Sequence, residues 1–551
     1  MQYSTRSGSD GIHLLGAMEQ HALRLVESSI PSLPLRVLYC YFMVAYTHFR
    51  LGHYPRIRVA NLWLAIFLTG LFVFAGTCAL AQTPQATPPA PGPPRALIIP
   101  TASERTLSNG LRVIAIRRAN SPLITAQVII KNGAEMDPPN LAGLTHLTAS
   151  LLTLGTKTRS ATQIAEAIEA LGGSQDSEAQ WDSSTVSVEV MSDKIDPALK
   201  IFSDVVQHPA FAPDEIERLR QQYIDYINVQ LGEPGSIASF AGQLVLFGDS
   251  AYGHPLGGTP ESLKRIQRAD IIRLHQKLFR PDNAILVIGG DVNPDDAFKL
   301  AEKYFATWRG PYPENVIKTA NITVANRRRV VVIDKPDAGQ AAVLVVSAGI
   351  SRLDPTFFNG IVANSVLDGY SGRLNQEVRV KRGLSYGAGS YLEARHSIGP
   401  FVATAQTRND AAAQVAELLL AEMDKLATAE VTDADLVPRK AVLTGAFARG
   451  LEQVNGLVSD VSFQALMGLP LDESNRYLGN VQRVTTKGVR DFAAAHLNSR
   501  AASIVIVGNA KAFFSSLQKS FKDIDVIPIN RLDLNNANLR KSALKNGRRR
   551  R

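Results

Sequence analysis

Apolar positions between residues 104 and 310 fall into two periods, and the switches between them mark the elements. Leu111–Ile116 and Thr125–Lys131 are β-branched runs separated by Asn120, Ser121 and Pro122, and predict two strands. Gly143–Leu152 predicts a helix. A second helix has a marked start: Ser160 and Gln163 have capping-box spacing, in which each side chain satisfies a free N–H of the first turn. Its apolar residues Ile164, Ile168 and Leu171 share one face, and Gly172-Gly173 ends it. Thr185–Met191 alternates and predicts a strand, Lys194–Val206 and Asp214–Val229 predict helices, Ala284–Gly289 a strand and Pro294–Thr307 a helix.

The pattern then recurs. Gln127 to Pro138 (QVIIKNGAEMDP) resembles Val343 to Pro355 (VLVVSAGISRLDP), and Ala284 to Phe305 resembles Ser503 to Phe521. Pro138 and Pro355 stand 217 residues apart, Gly290 and Gly508 218 apart. Two distant matches at nearly one offset imply duplicated domains of about that size. We place them at 104–312 and 330–525, joined by a linker at 313–329 where Pro, Asn and basic residues interrupt the periodicity. Strands followed by runs of helices, rather than strict alternation, make each an α+β domain.

The net charge of +9 suggests nucleic acid until it is located. Residues 1–60 carry +3 and residues 531–551 carry +7, which leaves −1 for the body, so nucleic-acid binding is not expected. The only cysteines are Cys40 and Cys78; the body therefore has no disulfide and no Cys-based zinc site. Residues 62–80 are almost wholly apolar, follow Arg56 and Arg58, and end in Ala79-Leu80-Ala81. Basic flank, apolar run and small-x-small end are the parts of a secretory signal, while the length also suits an uncleaved anchor. Residues 1–81 are thus an N-terminal extension with a signal or anchor, and 82–103 a Pro-rich tether. Either way the body is expected outside the cytoplasmic membrane, periplasmic or otherwise exported, touching the membrane only through the N-terminal segment if that is retained. Residues 526–551 are expected to be a basic tail ending in the charge run Arg548–Arg551.

Chemistry concentrates at Gly143 to Thr156, GLTHLTASLLTLGT. An inverted zinc-peptidase helix reads H-x-x-E-H, because residues at i and i+4 share a face and can share a metal while the Glu activates its water. Here His146 stands at the first place, but Ala149 and Ser150 occupy the other two and can do neither job. Two further patterns are decoys. Gly383-Leu-Ser385-Tyr-Gly387 matches a nucleophile elbow but is followed by strand-like rather than helical sequence. Asp291 to Glu302 imitates a calcium loop but has Asp296 where the turn needs Gly; it reads more simply as a helix start, capped by Asn293 with Pro294 first.

With the repeat in hand, the chain resembles the pitrilysin/insulinase family of inverted-motif zinc peptidases over about residues 104 to 515. The resemblance is carried by LSNGLRV at Leu107–Val113, the Gly133 turn, GLTHLTASLLTLGT, the IEALGG helix end, HPLGGTPESLKRI at His254–Ile266, and RPDNAILVIGGDV at Arg280–Val292. It implies two such domains facing each other as a clam-shell. It also implies a third metal ligand, a Glu roughly eighty residues past the first His, which falls on Tyr226, with a further acid position at Leu219. The ligand set is thereby reduced to a vestigial His146, and zinc needs three protein ligands in a catalytic site. Glu217 and Asp225 on the same helix are expected to be solvated charges. In the second half, Val378 to Glu393 resembles the family's substrate-gripping segment, in which an Arg and a Tyr seven residues apart contact the peptide; Arg379 and Tyr386 have that spacing. The turn Gly369 to Arg373 matches the entry to that segment, and GEPGSIA, Gly232 to Ala238, sits near where family members carry flexible substrate-contacting loops.

Some members of that family work as pairs, one subunit carrying zinc and the other supplying the Arg/Tyr grip. The resemblance implies a chain of the second kind. It would have no catalytic residue and no cofactor of its own, with zinc in a partner that has an intact H-x-x-E-H helix, and peptides as substrates. The alternatives are a structural or interaction subunit without a role in proteolysis, and an active zinc enzyme with rearranged ligands.

Overall fold

The computed structural model describes residues 98–310, 322–325, 327–429 and 431–541, all within one compact unit, Arg95–Arg551. The apolar run 62–80, both cysteines, most of the Pro-rich tether, much of the interdomain linker and the charge run Arg548–Arg551 lie outside the described residues. Among the described residues no helix is long and apolar enough to cross a membrane.

Two six-stranded mixed sheets packed with helices make an α+β fold. The first sheet contains β1 (Ser103–Thr106), β2 (Arg112–Arg117), β3 (Leu123–Ile130), β4 (Ser174–Ala179), β5 (Ser184–Met191) and β6 (Ala284–Gly290), ordered β1-β2-β6-β3-β5-β4. The second contains β7 (Val330–Asp334), β8 (Ala341–Ala348), β9 (Ala388–Leu392), β10 (Pro400–Thr407), β11 (Ser503–Gly508) and β12 (Ile524–Pro528), ordered β12-β7-β11-β8-β10-β9. Five strands correspond one to one, and β3 and β8 stand 218 residues apart, as the repeat predicts. The sixth does not: β1 pairs antiparallel with β2, whereas β12 pairs parallel with β7 and comes from the far end of the chain. Residues 526–541, assigned from sequence to a basic tail, therefore belong to the fold. They complete β12 and bury Leu532, Leu534 and Leu539.

Strand β3 is buried on both faces, which is why its sequence is nearly continuous in apolar residues. Its outer face meets the helices that follow it in sequence, among them α1 (Leu144–Leu151) and the helix Ile195–Gln207. After α1 the chain runs to α2 (Pro213–Gln230) and α3 (Pro234–Phe247); far downstream lies α4 (Val454–Met467). The inner face of the first sheet, Ile114, Ile116, Ile129, Ile285 and Val287, is covered by α4 from the other half. Reciprocally, Ile237, Ala241 and Leu244 of α3 cover Ala342, Leu344 and Val505 on the inner face of the second sheet. Each half thus supplies the helix that closes the other. Burying Val454, Leu457, Val458 and Val461 of α4 stabilises this arrangement by roughly 6–12 kcal/mol before chain entropy is counted. The helices approach closely because glycine stands at the crossing. A Cβ on Gly289 in β6 would meet Val458 Cγ2 at 2.5 Å, and one on Gly242 in α3 would meet Leu344 Cδ2 at 2.9 Å.

GEPGSIA is the turn into α3 and its first turn, not a loop: Pro234 takes the first helical position, where its missing N–H costs nothing. Asn293 does precede its helix, but its side chain makes no capping bond. A polar tie also joins the halves. Arg395, after β9, is 3% exposed and lies 4.4 Å from the ring centre of Trp181 and 4.6 Å from that of Tyr252. Its guanidinium pairs with Glu393 at 2.8 Å, and Asp182 accepts from both the Tyr252 hydroxyl and the His396 N–H.

Gly289→Ala, which forces a methyl group against Val458 and Ile116, is expected to cost about 1–3 kcal/mol. Urea unfolding should show a lower midpoint at unchanged slope, since the exchanged helices unfold with both sheets.

Candidate functional site

Helix α1 is fixed at its start. Gly143 has φ 90°, and its N–H and that of Thr145 both donate to the buried Asp137 carboxylate at 2.7 and 2.8 Å. Burial raises the Asp137 pKa, while His254 and these hydrogen bonds oppose the shift. The HPLGGTPESLKRI motif packs on this turn: a Cβ on Gly258 would sit 2.2 Å from Ala142 O, so only glycine allows the approach.

The helix presents His146 and Ser150 to α2. The ring that meets them is Tyr223, not Tyr226. Tyr223 lies 5.1 Å from His146, ring centre to ring centre and tilted by 31°, and its hydroxyl donates to Ser150 Oγ at 2.5 Å. Counting eighty residues from His146 lands one helical turn too far; Tyr226 is 63% exposed and lines the same cavity further along. Ala149 is 1% exposed, and its carbonyl accepts from Ser177 Oγ at 2.8 Å. Leu219 is in the core of the first half. Glu217 pairs with Arg220 and Asp225 accepts from Gln221, as expected for solvated helix charges.

His146 Nδ1 is buried without a hydrogen-bond partner, and burial holds the imidazole below its usual pKa. Burial also raises the Tyr223 phenol. The donor set at this position is therefore one neutral imidazole, a hydroxyl and a phenol that already bond each other, and a methyl group. It does not fit zinc, which takes three protein ligands in a catalytic site. A rearranged set finds no better support: among the described residues no group of three or more His, Cys, Asp or Glu side chains could hold a metal ion.

Beside His146 opens a cavity of about 910 Å³. Its walls come from α2 (Gln222, Tyr223, Tyr226, Gln230), from the start of α3 (Ser236, Phe240), and from Gln406 of β10 in the other half. Arg379 and Tyr386 are not among its lining residues. Arg379 sits in a π-helical turn, Gln376–Val380, with its guanidinium 5.2 Å from the Tyr370 ring, and Tyr386 is 88% exposed. Ser385 is tied to Gly387 through both its hydroxyl and the Gly387 N–H, which leaves no nucleophile elbow there. Sequence reasoning missed Tyr223 and the glutamines, although Tyr223, Tyr226, Ile227 and Gln230 have the spacing of one helix face.

A duplicated α+β chain, with His146 beside its cavity on a helix that keeps only the first position of the inverted motif, has a peptidase-type scaffold. Comparison with known proteins agrees. Residues 112–237 match the model of "Insulinase (Peptidase family M16)" and residues 265–443 that of "Peptidase M16 inactive domain". The chain belongs to this family. It is similar to an uncharacterized zinc protease of Streptomyces coelicolor, at 26% identity over 75% of this chain and 91% of that one. It is also similar to the uncharacterized zinc protease YmxG of Bacillus subtilis, at 22% over 64% and 85%. Among solved structures, a peptidase M16 inactive domain from Pseudomonas fluorescens aligns with TM-score 0.69 and 26% identity, covering 74% of this chain and 98% of its own. A protease from Helicobacter pylori shares the fold at TM-score 0.70 and 20% identity, covering 75% of this chain and all of its own.

Two measurements check the site. Tyr223→Phe removes the bond to Ser150 and should cost about 1 kcal/mol in urea unfolding. Because the folded state holds His146 below its ordinary 6.5, its contribution is fully present above that pH and is lost as pH falls through it. Between pH 7 and 5, His146→Leu should therefore lose less stability than the wild type.

Proposed function

We propose that this chain is the zinc-free, substrate-binding subunit of a two-subunit peptidase, exported through its N-terminal segment and acting on peptides with a zinc-bearing partner. The observation that carries the reading is the Ser150–Tyr223 hydrogen bond at the metal position, beside an open cavity. The metal chemistry is gone and the place where a chain could lie is kept. The partner would carry the intact H-x-x-E-H helix and its zinc, and this chain would contribute Arg379 and Tyr386, whose guanidinium and phenol donate to carbonyl oxygens or a developing oxyanion. The export part of the reading rests on the apolar run 62–80 and its Ala-Leu-Ala end.

An interaction subunit with no part in proteolysis is favoured by one observation: Arg379 stacks on Tyr370 and Tyr386 stands in solvent, both outside the cavity. One experiment separates the two. The chain is co-purified with the zinc-bearing partner, and peptide hydrolysis is compared for wild type, Arg379→Ala and Tyr386→Phe at equal complex yield. The substrate-binding reading expects kcat to fall by about 10²–10³ for the arginine variant. Unchanged kinetics in both variants would establish the interaction role instead, and stoichiometric zinc with hydrolysis by this chain alone would overturn both.

A further inference from the structure

The cavity beside His146 has an unusual balance of hydrogen-bonding groups. Among the described residues its lining includes three glutamines, Gln222, Gln230 and Gln406, one carboxylate, Glu233, and no lysine or arginine. Two of the glutamines are oriented by neighbours. Gln222 Oε1 accepts from Arg218 at 3.3 Å, and Gln230 Oε1 accepts from Ser236 Oγ at 2.5 Å. Each acceptor is thereby engaged, while neither NH₂ group donates to any described residue. An amide nitrogen carries two donors, so the wall from α2 offers a surplus of N–H groups. Across the cavity Gln406 reaches towards Gly235, where a Cβ would stand 2.8 Å from its Nε2. The missing side chain of Gly235 gives the amide its room.

Such a surface accepts carbonyl oxygens and discriminates by charge. An ammonium or guanidinium brings only donors, meets the glutamine N–H groups, and finds Glu233 as its one anionic acceptor. A carboxylate brings acceptors, but the lining offers it no cation, Arg218 behind Gln222 is already paired with Glu215, and it faces Glu233. An aliphatic side chain leaves the glutamine N–H groups unpaired as it displaces their water, which costs binding energy. Of these four side-chain classes, only a carboxamide brings both an acceptor for the α2 amides and donors for Glu233 or Gln406. We propose that this cavity selects asparagine- or glutamine-bearing segments of the bound polypeptide, with Gln222, Gln230 and Gln406 as the specificity-determining residues. The proposal rests on the substrate-binding reading above and adds to it a class of sequence.

The test needs no partner and no catalysis. Labelled alanine-based nonapeptides carrying central Gln-Gln, Glu-Glu, Lys-Lys or Leu-Leu are titrated with the purified full chain by fluorescence anisotropy. The Gln-Gln peptide should bind about tenfold more tightly than Glu-Glu, and several-fold more tightly than Lys-Lys or Leu-Leu. Gln230→Leu should flatten the Gln-Gln preference while leaving Leu-Leu binding unchanged or stronger. Gln222→Glu, nearly isosteric, should shift preference towards Lys-Lys; each variant is first matched to wild type in urea midpoint. Equal binding of Gln-Gln and Leu-Leu would overturn the specificity and leave the substrate-binding reading standing. Failure of all four peptides to bind would bring down that reading as well.

Discussion

The inner face of each sheet is buried by a helix of the other half, and this exchange constrains everything else. Neither half can hide its own inner face: α3 follows the first sheet's helices in sequence but lies on Leu344, and α4 lies on the first sheet at Val458 and Gly289. Sequence duplication made two copies, but packing made one body. A change that loosens one crossing is felt by both sheets, because the buried area is shared between them. The Arg395 cage adds a directional element to a largely apolar contact, since a guanidinium over Trp181 and Tyr252 has a preferred place that an aliphatic contact lacks.

The exchange also builds the site. Only Leu231 to Glu233 separate α2 from α3, so seating α3 on the second sheet fixes the direction in which α2 leaves it. That direction lays Tyr223 on His146 and sets Gln222 and Gln230 facing Gln406 of the other half. The cavity is therefore a product of the domain contact rather than of either domain. It is open although Ala149 and Ser150 hold two of the three motif positions, because its walls come mainly from α2, α3 and β10.

Much of this was legible in the sequence, and the failures have physical causes. The repeat offset gave the correspondence of β3 with β8 because a period survives where individual residues drift. The Ser160–Gln163 capping box was readable because its signal is local. The start of α3 was read as a loop because Gly232, Pro234 and Gly235 are turn residues in most settings, and proline at the first helical position is their exception. Residues 526–541 look like a tail in sequence because a five-residue, half-buried edge strand such as β12 carries little periodic signal. The count from His146 reaches Tyr226 and passes over Tyr223 because it ignores loop lengths, whereas the helix face is set by packing of Ile216, Leu219, Ile224 and Ile227. Which helix covers which sheet was not legible at all, since amphipathicity specifies a face and not its partner.

The loss of the metal set is better understood as a replacement than as a gap. A bare helix at this place would leave the hydroxyl of Ser150 and the ring of His146 beside an empty volume, with the desolvation cost of unpaired polar groups. Tyr223 fills that volume and gives Ser150 a partner. One cost remains, the unpaired Nδ1 of His146, whose burial holds the imidazole below its ordinary pKa. Rebuilding a zinc site would thus require removing Tyr223 as well as supplying an acid at 149 and an imidazole at 150. Ala149 offers no room for the first of these, because it is packed against β4 with its carbonyl held by Ser177. Tyr223 occupies the metal position while the cavity next to it stays open, and the proposed substrate-binding role rests on that asymmetry.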